Sequence, residues 1–196
     1  MTLVLASKSA SRQAMLTAAG VAFEARPAAV DERAVEAALG NASPADVALA
    51  LARAKALAVA ASALVPELVL GSDSLVVVNG RRFDKPGSVE EATQHLRFFS
   101  GQVMELHSAV ALVNGGAVLW DHAAIARLHV RELSESFIAD YLAAEWPAVG
   151  HCVGVFRIEG PGVHLFDRIE GDHFTILGMP LLPVLGALRK FAAVTA

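Results

Sequence analysis

Blocks of apolar residues separated by short polar segments predict a chain in which strands and helices alternate. The apolar run Leu3–Ala6 is followed by a serine-rich turn and by an alanine-rich segment that ends at Gly20. A serine before such a segment and a glycine after it mark the two ends of a helix. The chain is therefore predicted to open with a strand, a polar turn and a helix.

Similar signals recur along the rest of the chain. Helices are predicted over about 44–63, 88–99, 134–146 and 181–193, and strands over 68–71, 75–78, 103–113, 117–130, 152–158 and 163–166. Asn79-Gly80 predicts a tight hairpin, and Asn114-Gly115-Gly116 is expected to join the two longest strands. Helices interleaved with strands and hairpins predict a mixed-sheet α/β or α+β fold.

Composition and charge narrow the class of protein. The chain has 196 residues, of which 55% are hydrophobic, and its net charge is −4. These values exclude a disordered chain and a basic surface for nucleic acid. The length suits one domain, or two small lobes that share a core, and we expect a single domain over residues 1–196. The single cysteine, Cys152, excludes an intramolecular disulfide framework.

The apolar segments are too short to act as a leader or a membrane span. The N-terminal run Leu3–Ala6 is shorter than the apolar region of a signal peptide. The uncharged stretch Phe174–Leu188 contains Pro180 and Pro183, and it falls short of the roughly 20 residues that a membrane-spanning helix needs. We therefore expect a cytoplasmic protein without a membrane partner.

The turn after the first strand is a candidate phosphate site. Unpaired N–H groups at the start of a helix attract anions. Hydroxyl and guanidinium donors are added here by Ser7, Ser9, Ser11 and Arg12. The segment is neither a P-loop nor a dinucleotide-binding fingerprint, so the alternative is that its serines only cap the helix.

Charged side chains in apolar surroundings are further candidates. Asp73 follows a buried-strand pattern, where a carboxylate is costly unless it is paired or binds a metal. A turn is the alternative for this segment. Glu32, Lys55 and Lys85 are singly typical of surface residues, but together with Asp73 and Arg12 they indicate a site for phosphate and a metal. The histidines show no spacing typical of a zinc site.

Several ordered motifs resemble those of the Maf family of nucleoside triphosphate pyrophosphatases. They are Leu5–Arg12, Val30-Asp31-Glu32, Leu51–Ala56, Leu70–Ser74, Asp84-Lys85-Pro86, Leu96–Gly101, Ser108–Leu112 and Gly178–Leu181. The resemblance covers nearly the whole chain and implies a mixed-sheet α/β fold of two lobes with a long central cleft. It also implies a homodimer and hydrolysis of a nucleoside triphosphate to the monophosphate and pyrophosphate with Mg²⁺ or Mn²⁺.

The resemblance also implies roles for individual residues. Asp73 matches the family's proton acceptor and Glu32 its second acid, which makes both of them metal ligands, and Lys85 joins them as a catalytic residue. Hard carboxylate oxygens suit these cations. The substrate-binding set is Ser7, Ser9, Ser11, Arg12, Lys55, Ser74 and Glu159.

Three positions in the family distinguish subgroups by base, and this chain has Ser11, Ser74 and Glu159 there. The resemblance implies arginine, threonine and glutamine at these positions for dTTP and UTP, and tryptophan, glutamine and glutamate for 7-methyl-GTP. Glu159 suits the N–H edge of guanine and the positive charge of N7 methylation. We therefore expect 7-methyl-GTP as substrate, unless Glu159 only caps the turn that starts at Gly160.

Three other functions fit the same residues. A pyrophosphatase acting on dTTP or UTP would have the same chemistry with another base. A nucleotide-binding regulator would keep the site without turnover, and a phosphatase would release phosphate. Measuring which product is released distinguishes the last two from a pyrophosphatase.

Overall fold

Helices flank one mixed sheet in the computed structural model, which describes residues 3–63 and 67–191. The described strands are β1 (Leu3–Leu5), β2 (Phe23–Ala25), β3 (Leu68–Val78), β4 (Arg81–Phe83), β5 (Val103–Asn114), β6 (Ala117–Val130) and β7 (Phe166–Glu170). The described helices are α1 (Ala10–Ala18), α2 (Glu32–Leu39), α3 (Pro44–Ala61), α4 (Val89–Phe99), α5 (Glu135–Glu145), α6 (His173–Ile176) and α7 (Leu181–Lys190). The predicted end of the last helix near Ala193 lies outside the described residues.

The strand order is β2-β1-β3-β5-β6-β7, and β4 pairs with β3. β1 runs parallel to both of its neighbours, with Leu3 opposite Phe23 and Leu68. In contrast, β4 pairs antiparallel with β3, and β7 pairs antiparallel with β6. The sheet is open and mixed, which confirms the predicted fold class.

The chain divides into two compact units. The first comprises the described residues of Met1–Ser74, His107–Ile125 and Asp172–Ala196, and the second comprises Leu75–Leu106 and Ala126–Gly171. Strands β3, β5 and β6 continue from one unit into the other. The cleft between two lobes stays a prediction.

β1 is buried on both faces because helices cover it on each side. Successive side chains of a strand point to opposite faces. Leu3 and Leu5 pack in an apolar cluster with Leu16 of α1, whereas Val4 packs with Val59 of α3. This packing places the end of β1, and the serine-rich turn after it, between α1 and α3.

Local sequence signals account for several boundaries. Ser43, Ser88 and Ser134 each accept a hydrogen bond from the backbone N–H three residues later, as predicted for helix caps. Asn79 and Gly80 join β3 to β4 with φ of 49° and 72°. Positive φ at both central residues is the geometry of a tight two-residue hairpin, so this prediction is confirmed.

Two strands predicted late in the chain are wrong. Residues 152–158 lie outside helix and strand, a 3₁₀ turn occupies Pro161–Leu165, and β7 begins only at Phe166. Val155 has a φ of 57°, which a strand does not accommodate. Its carbonyl accepts a hydrogen bond from the Tyr141 hydroxyl at 3.0 Å rather than from a strand neighbour. Val155 and Phe156 of this segment are therefore buried in a loop rather than in a strand.

Other elements were missed or interrupted in the sequence prediction. The short elements β2, α2 and α6 were not predicted. The alternative of a turn at Ser72-Asp73-Ser74 is wrong, because β3 is continuous through these residues.

Among the described residues, no helix combines the length and the apolar character that a membrane crossing requires.

The apolar interior of the second unit holds a histidine whose pKa is shifted. His95 is 8% exposed, and its ring centroid lies 5.0 Å from that of Phe83 and 5.8 Å from that of Phe99. Burial lowers the pKa of His95 below 6.5, and Glu91, whose Oε1 lies 3.8 Å from Nε2, opposes this shift. The folded protein therefore binds a proton at His95 less readily than the unfolded chain does.

The free energy of unfolding is thus expected to decrease as the pH falls below about 6.5, because protonation then favours the unfolded chain. His95→Gln should flatten this part of the profile, measured by urea denaturation between about pH 5 and pH 8. His164→Gln is the matched control, since His164 is exposed in the same unit. An unchanged pH profile in His95→Gln would contradict the assignment.

Candidate active site

Asp73 is buried in the middle of β3, where it pairs with a lysine of α3. Lys55 Nζ lies 2.5 Å from Asp73 Oδ1, and Asp73 is only 6% exposed. A buried carboxylate is costly without such a partner. The contact therefore explains how an apolar strand tolerates an acid.

This pairing depends on a close approach of α3 to β3 at Gly71. A Cβ atom at Gly71 would fall against the backbone carbonyl of Ala52 and the backbone nitrogen of Ala56. Glycine is therefore needed for the helix to lie so close to the strand. Lys55 lies between these two helix residues, and its side chain reaches the strand at Asp73.

A second carboxylate contacts the same lysine. Glu32 Oε1 lies 2.8 Å from Lys55 Nζ. Glu32 is the first residue of α2, and Asp31 caps that helix by accepting a hydrogen bond from the N–H of Ala34 at 3.0 Å. The ammonium group of Lys55 thus joins a buried carboxylate to an exposed one.

The surroundings of Asp73 favour a proton acceptor. Burial raises the pKa of Asp73 above its ordinary value, and the charges of Lys55 and Arg12 offset part of this rise. The negative charge of Glu32 adds to it. A carboxylate with a raised pKa accepts a proton more readily near neutral pH than an ordinary one, which suits general-base catalysis.

Arg12 is held by four hydrogen bonds within the first unit. Its Nε donates to the carbonyl of Gly178 at 2.9 Å, and its Nη2 donates to Ser74 Oγ at 3.0 Å. Its Nη1 donates to Ser7 Oγ at 3.3 Å and to the carbonyl of Ser72 at 2.9 Å. Since a guanidinium has five N–H donors, Arg12 organises the site as well as bringing a positive charge to it.

The carbonyl of Gly178 accepts three side-chain hydrogen bonds at the site, and sequence reasoning missed this role. Besides the bond from Arg12, it accepts hydrogen bonds from Ser72 Oγ at 3.1 Å and Ser74 Oγ at 3.0 Å. Gly178 has a φ of 98°, a conformation that glycine adopts without strain. Ser108 Oγ lies 3.0 Å from Ser74 Oγ. Gly178 and Ser108 both lie in motifs of the family resemblance. Those motifs were the available signal for these residues, although no role was assigned to either of them.

The serine-rich turn has a structural role at two positions. Ser9 is the N-cap of α1 and accepts a hydrogen bond from the N–H of Arg12 at 3.4 Å, which confirms the capping alternative for this serine. Ser7 accepts a hydrogen bond from the N–H of Ser9 at 3.1 Å. Ser11 is half-buried in the first turn of α1. Binding of phosphate by this turn stays a prediction.

Lys85 and Glu159, the other two predicted site residues, belong to the second unit, and both are exposed. Burial raises the pKa of the Cys152 thiol, Glu159 raises it further, and Lys85 lowers it. Both charges therefore act on the same cysteine. Gly160 is the N-cap of the 3₁₀ turn that follows, and it has no side chain with which to cap that turn. Both readings of Glu159, as a base contact and as a cap of this turn, stay predictions.

The two carboxylates fit a divalent cation that is shared with a phosphate. Mg²⁺ keeps several waters and is commonly bound by one or two carboxylates together with substrate phosphates. Asp73 and Glu32 form such a pair, since both lie within 2.8 Å of one lysine nitrogen. Within residues 3–63 and 67–191, no three His, Cys, Asp or Glu side chains are grouped as metal ligands. The residues thus suit a cation that is bound jointly with substrate.

A comparison with protein-family models shows to which family the chain belongs. The model of the family described as "Maf-like protein" matches residues 2–191. The chain belongs to this family. A 7-methyl-GTP pyrophosphatase of Rhizobium meliloti (strain 1021) is 49% identical to it over 99% of this chain and 98% of the relative.

Other relatives of the Maf-like chain are similar over almost their full lengths. A nucleoside triphosphate pyrophosphatase of Rhodopseudomonas palustris (strain BisB18) is 50% identical over 96% of this chain and 93% of the relative. Another, from Granulibacter bethesdensis (strain ATCC BAA-1260 / CGDNIH1), is 47% identical over 100% of both chains. The family resemblance drawn from the ordered motifs is therefore confirmed.

Proposed function

We propose that this protein hydrolyses a nucleoside triphosphate to the nucleoside monophosphate and pyrophosphate. The observation that carries the proposal is the buried carboxylate of Asp73, held 2.5 Å from Lys55 Nζ and within the field of Arg12. This arrangement combines a proton acceptor with cations that suit phosphate. The names of the relatives, 7-methyl-GTP pyrophosphatase and nucleoside triphosphate pyrophosphatase, support the same reaction.

In the proposed reaction, water attacks the α-phosphorus, and the bond from this phosphorus to the bridging oxygen of pyrophosphate breaks. Asp73 accepts the proton of the attacking water. Lys55 and Lys85 counter the negative charge that develops on the leaving pyrophosphate. Phosphate oxygens accept hydrogen bonds from the donors of the serine-rich turn, which are Ser7, Ser9, Ser11 and Arg12.

We assign Mg²⁺ or Mn²⁺ to the carboxylates of Glu32 and Asp73, which suit hard cations. When bound, such a cation neutralises charge on phosphate oxygens. Lys55 keeps the two carboxylates together, since its Nζ contacts both of them. Chelation by EDTA provides the test of this assignment.

The proposed substrate is 7-methyl-GTP. Glu159 is exposed, so its carboxylate is accessible to accept hydrogen bonds from the N–H edge of guanine. Its charge also favours a base that is positively charged through methylation. The Ser74 hydroxyl, in contrast, is engaged by Arg12 and Gly178, so we assign base selection to Glu159. dTTP and UTP are the alternative substrates.

Glu159→Gln is expected to lower kcat/KM for 7-methyl-GTP about tenfold or more. The reason is that a hydrogen bond to a charged acceptor contributes about 1.5–3 kcal/mol. Steady-state pyrophosphate release measures this effect. The control is Glu90→Gln, which changes an exposed glutamate of α4 in the same unit. A wild-type preference for dTTP or UTP would contradict the assignment of Glu159.

The reaction itself is tested with a panel of nucleotides, assayed with Mg²⁺, with Mn²⁺ and with EDTA. We expect steady release of pyrophosphate without release of phosphate. Binding without any turnover would instead favour a regulator, and phosphate release alone would favour a phosphatase. Unchanged turnover in EDTA would contradict the metal assignment only.

We also propose that both units belong to one catalytic domain over residues 1–196, because the family match extends over 2–191. A homodimer, a cytoplasmic location and the absence of a nucleic-acid partner stay predictions. The net charge of −4 supports the last of these.

A further inference from the structure

The segment that bears Glu159 has an unusual backbone. It runs from Cys152 to Gly162, and we name it the 152–162 loop. Val155 is fully buried in this loop and has a φ of 57°. A β-branched residue in the left-handed region is strained, and such strain persists only where the surrounding structure imposes it. Some other element must therefore hold the loop in this conformation.

Helix α5 makes the contacts that hold the loop. The Tyr141 hydroxyl donates to the carbonyl of Val155 at 3.0 Å. One turn later, Glu145 Oε2 accepts hydrogen bonds from Arg157 Nε at 3.1 Å and Nη2 at 2.8 Å. Residues four apart lie on one face of a helix, so Tyr141 and Glu145 bind the loop from the same face of α5.

Both contacts are of a kind that fixes a position. Glu145 is 6% exposed, and a buried carboxylate without its partner is strongly unfavourable. Burial raises the pKa of Tyr141, so its hydroxyl stays protonated and remains a donor. Two nitrogens of Arg157 donate to the Glu145 carboxylate, which restricts the orientation of the guanidinium as well as its distance.

The ion pair lies beside Gly160, the residue that follows Glu159. A Cβ atom at Gly160 would lie 3.6 Å from Arg157 Nη2 and 3.8 Å from Glu145 Oε2. The N–H of Gly160 also donates to the carbonyl of Arg157 at 3.2 Å. Glu159 therefore lies in a turn from Arg157 to Gly160 that this backbone hydrogen bond closes, and the side chain of Arg157 is bound to Glu145.

We propose that Tyr141 and Glu145 are positioning residues that set the base selectivity of the enzyme by fixing the 152–162 loop and with it Glu159. This inference rests on the proposed function, in which Glu159 contacts the base. Neither residue is assigned a contact with substrate. Both act through the conformation of the loop.

Glu145→Gln is the principal test, because it keeps the size of the side chain and removes the charge that binds Arg157. We expect KM for 7-methyl-GTP to rise about tenfold while kcat changes less than about twofold, since misplacement of a binding group weakens substrate binding. The ratio of kcat/KM for 7-methyl-GTP to that for dTTP should fall by a similar factor. The inhibition constant of inorganic tripolyphosphate, which has no base, should stay within about twofold.

The matched control is Glu135→Gln on the same helix. Glu135 also pairs with an arginine, with Oε2 2.6 Å from Arg97 Nη2, but both side chains are more than half exposed. This variant loses a comparable ion pair that does not touch the 152–162 loop. We expect its base selectivity to equal that of the wild type.

Tyr141→Phe provides an independent variant, since it removes only the hydroxyl that binds the Val155 carbonyl. Loss of selectivity in this variant supports the proposal even if Glu145→Gln does not fold. If the variants fold and keep the wild-type selectivity, the inference is wrong. The same holds if KM for the nucleotide and the inhibition constant of tripolyphosphate rise together. A wild-type protein that releases no pyrophosphate from any nucleotide overturns the proposed function and this inference with it.

Discussion

Asp73→Asn is expected to reduce kcat for pyrophosphate release by about 10²–10⁴-fold, the usual contribution of a positioned general base. The amide retains the size of the carboxylate but has no basic oxygen to accept the proton of the attacking water. It also weakens the pairing with Lys55 Nζ, which lies 2.5 Å from the carboxylate. Both effects act on the chemical step, so kcat should decrease more than KM increases.

Asp121→Asn serves as the control for this variant. Asp121 belongs to the same unit and is also ion-paired, with Oδ2 2.6 Å from Arg53 Nε. It lies outside the cluster formed by Asp73, Lys55 and Glu32, and we expect its kcat to match the wild type. If purified and folded Asp73→Asn keeps a near-wild-type rate, Asp73 is not the base.

Gly71→Ala is expected to lower the free energy of unfolding by about 1–3 kcal/mol or more, because overpacking of a filled interior forces the backbone to shift. The added Cβ would fall against the backbone of Ala52 and Ala56 in α3. Displacement of α3 also moves Lys55 away from Asp73. We therefore expect loss of pyrophosphatase activity even under conditions where the variant is fully folded, measured by urea denaturation and by pyrophosphate release.

Gly186→Ala is the matched control for the helix-strand contact. Gly186 is an exposed residue of α7 in the same unit, where a Cβ atom meets only the side chain of Arg189 at 3.9 Å. Alanine in a helix interior is favoured over glycine by up to about 1 kcal/mol, so this variant should be as stable as the wild type or more stable. Equal stability of Gly71→Ala and wild type would show that α3 can move without cost.

Elements with strong local signals were predicted with useful accuracy. The serine caps at Ser43, Ser88 and Ser134 place helix starts because the hydrogen bond involves only residues three apart. The prediction of a strand over residues 152–158 was wrong for the opposite reason. Its apolar residues resemble a strand, but its conformation depends on Tyr141 and Glu145 of another element, which no local pattern encodes.

The candidate site shows the same division. Asp73, Glu32, Lys55 and Arg12 were proposed from residue type and from the ordered motifs, because phosphate chemistry needs acids and cations of this kind. Gly178 and Ser108 received no role. Their importance comes from contacts such as that between Ser74 Oγ and the carbonyl of Gly178, which are 104 positions apart in the chain.

The sequence by itself determined the family, the order of most elements and the residue types of the candidate site, since periodicity, caps and motifs are local properties of the chain. Only the tertiary structure decided that Lys55 joins the carboxylates of Glu32 and Asp73. It also decided that Arg12 is held by backbone carbonyls and serines rather than free in solvent. The physical reason is that these contacts depend on how closely separate elements pack, as at Gly71, and packing distance between elements is not written in any single stretch of sequence.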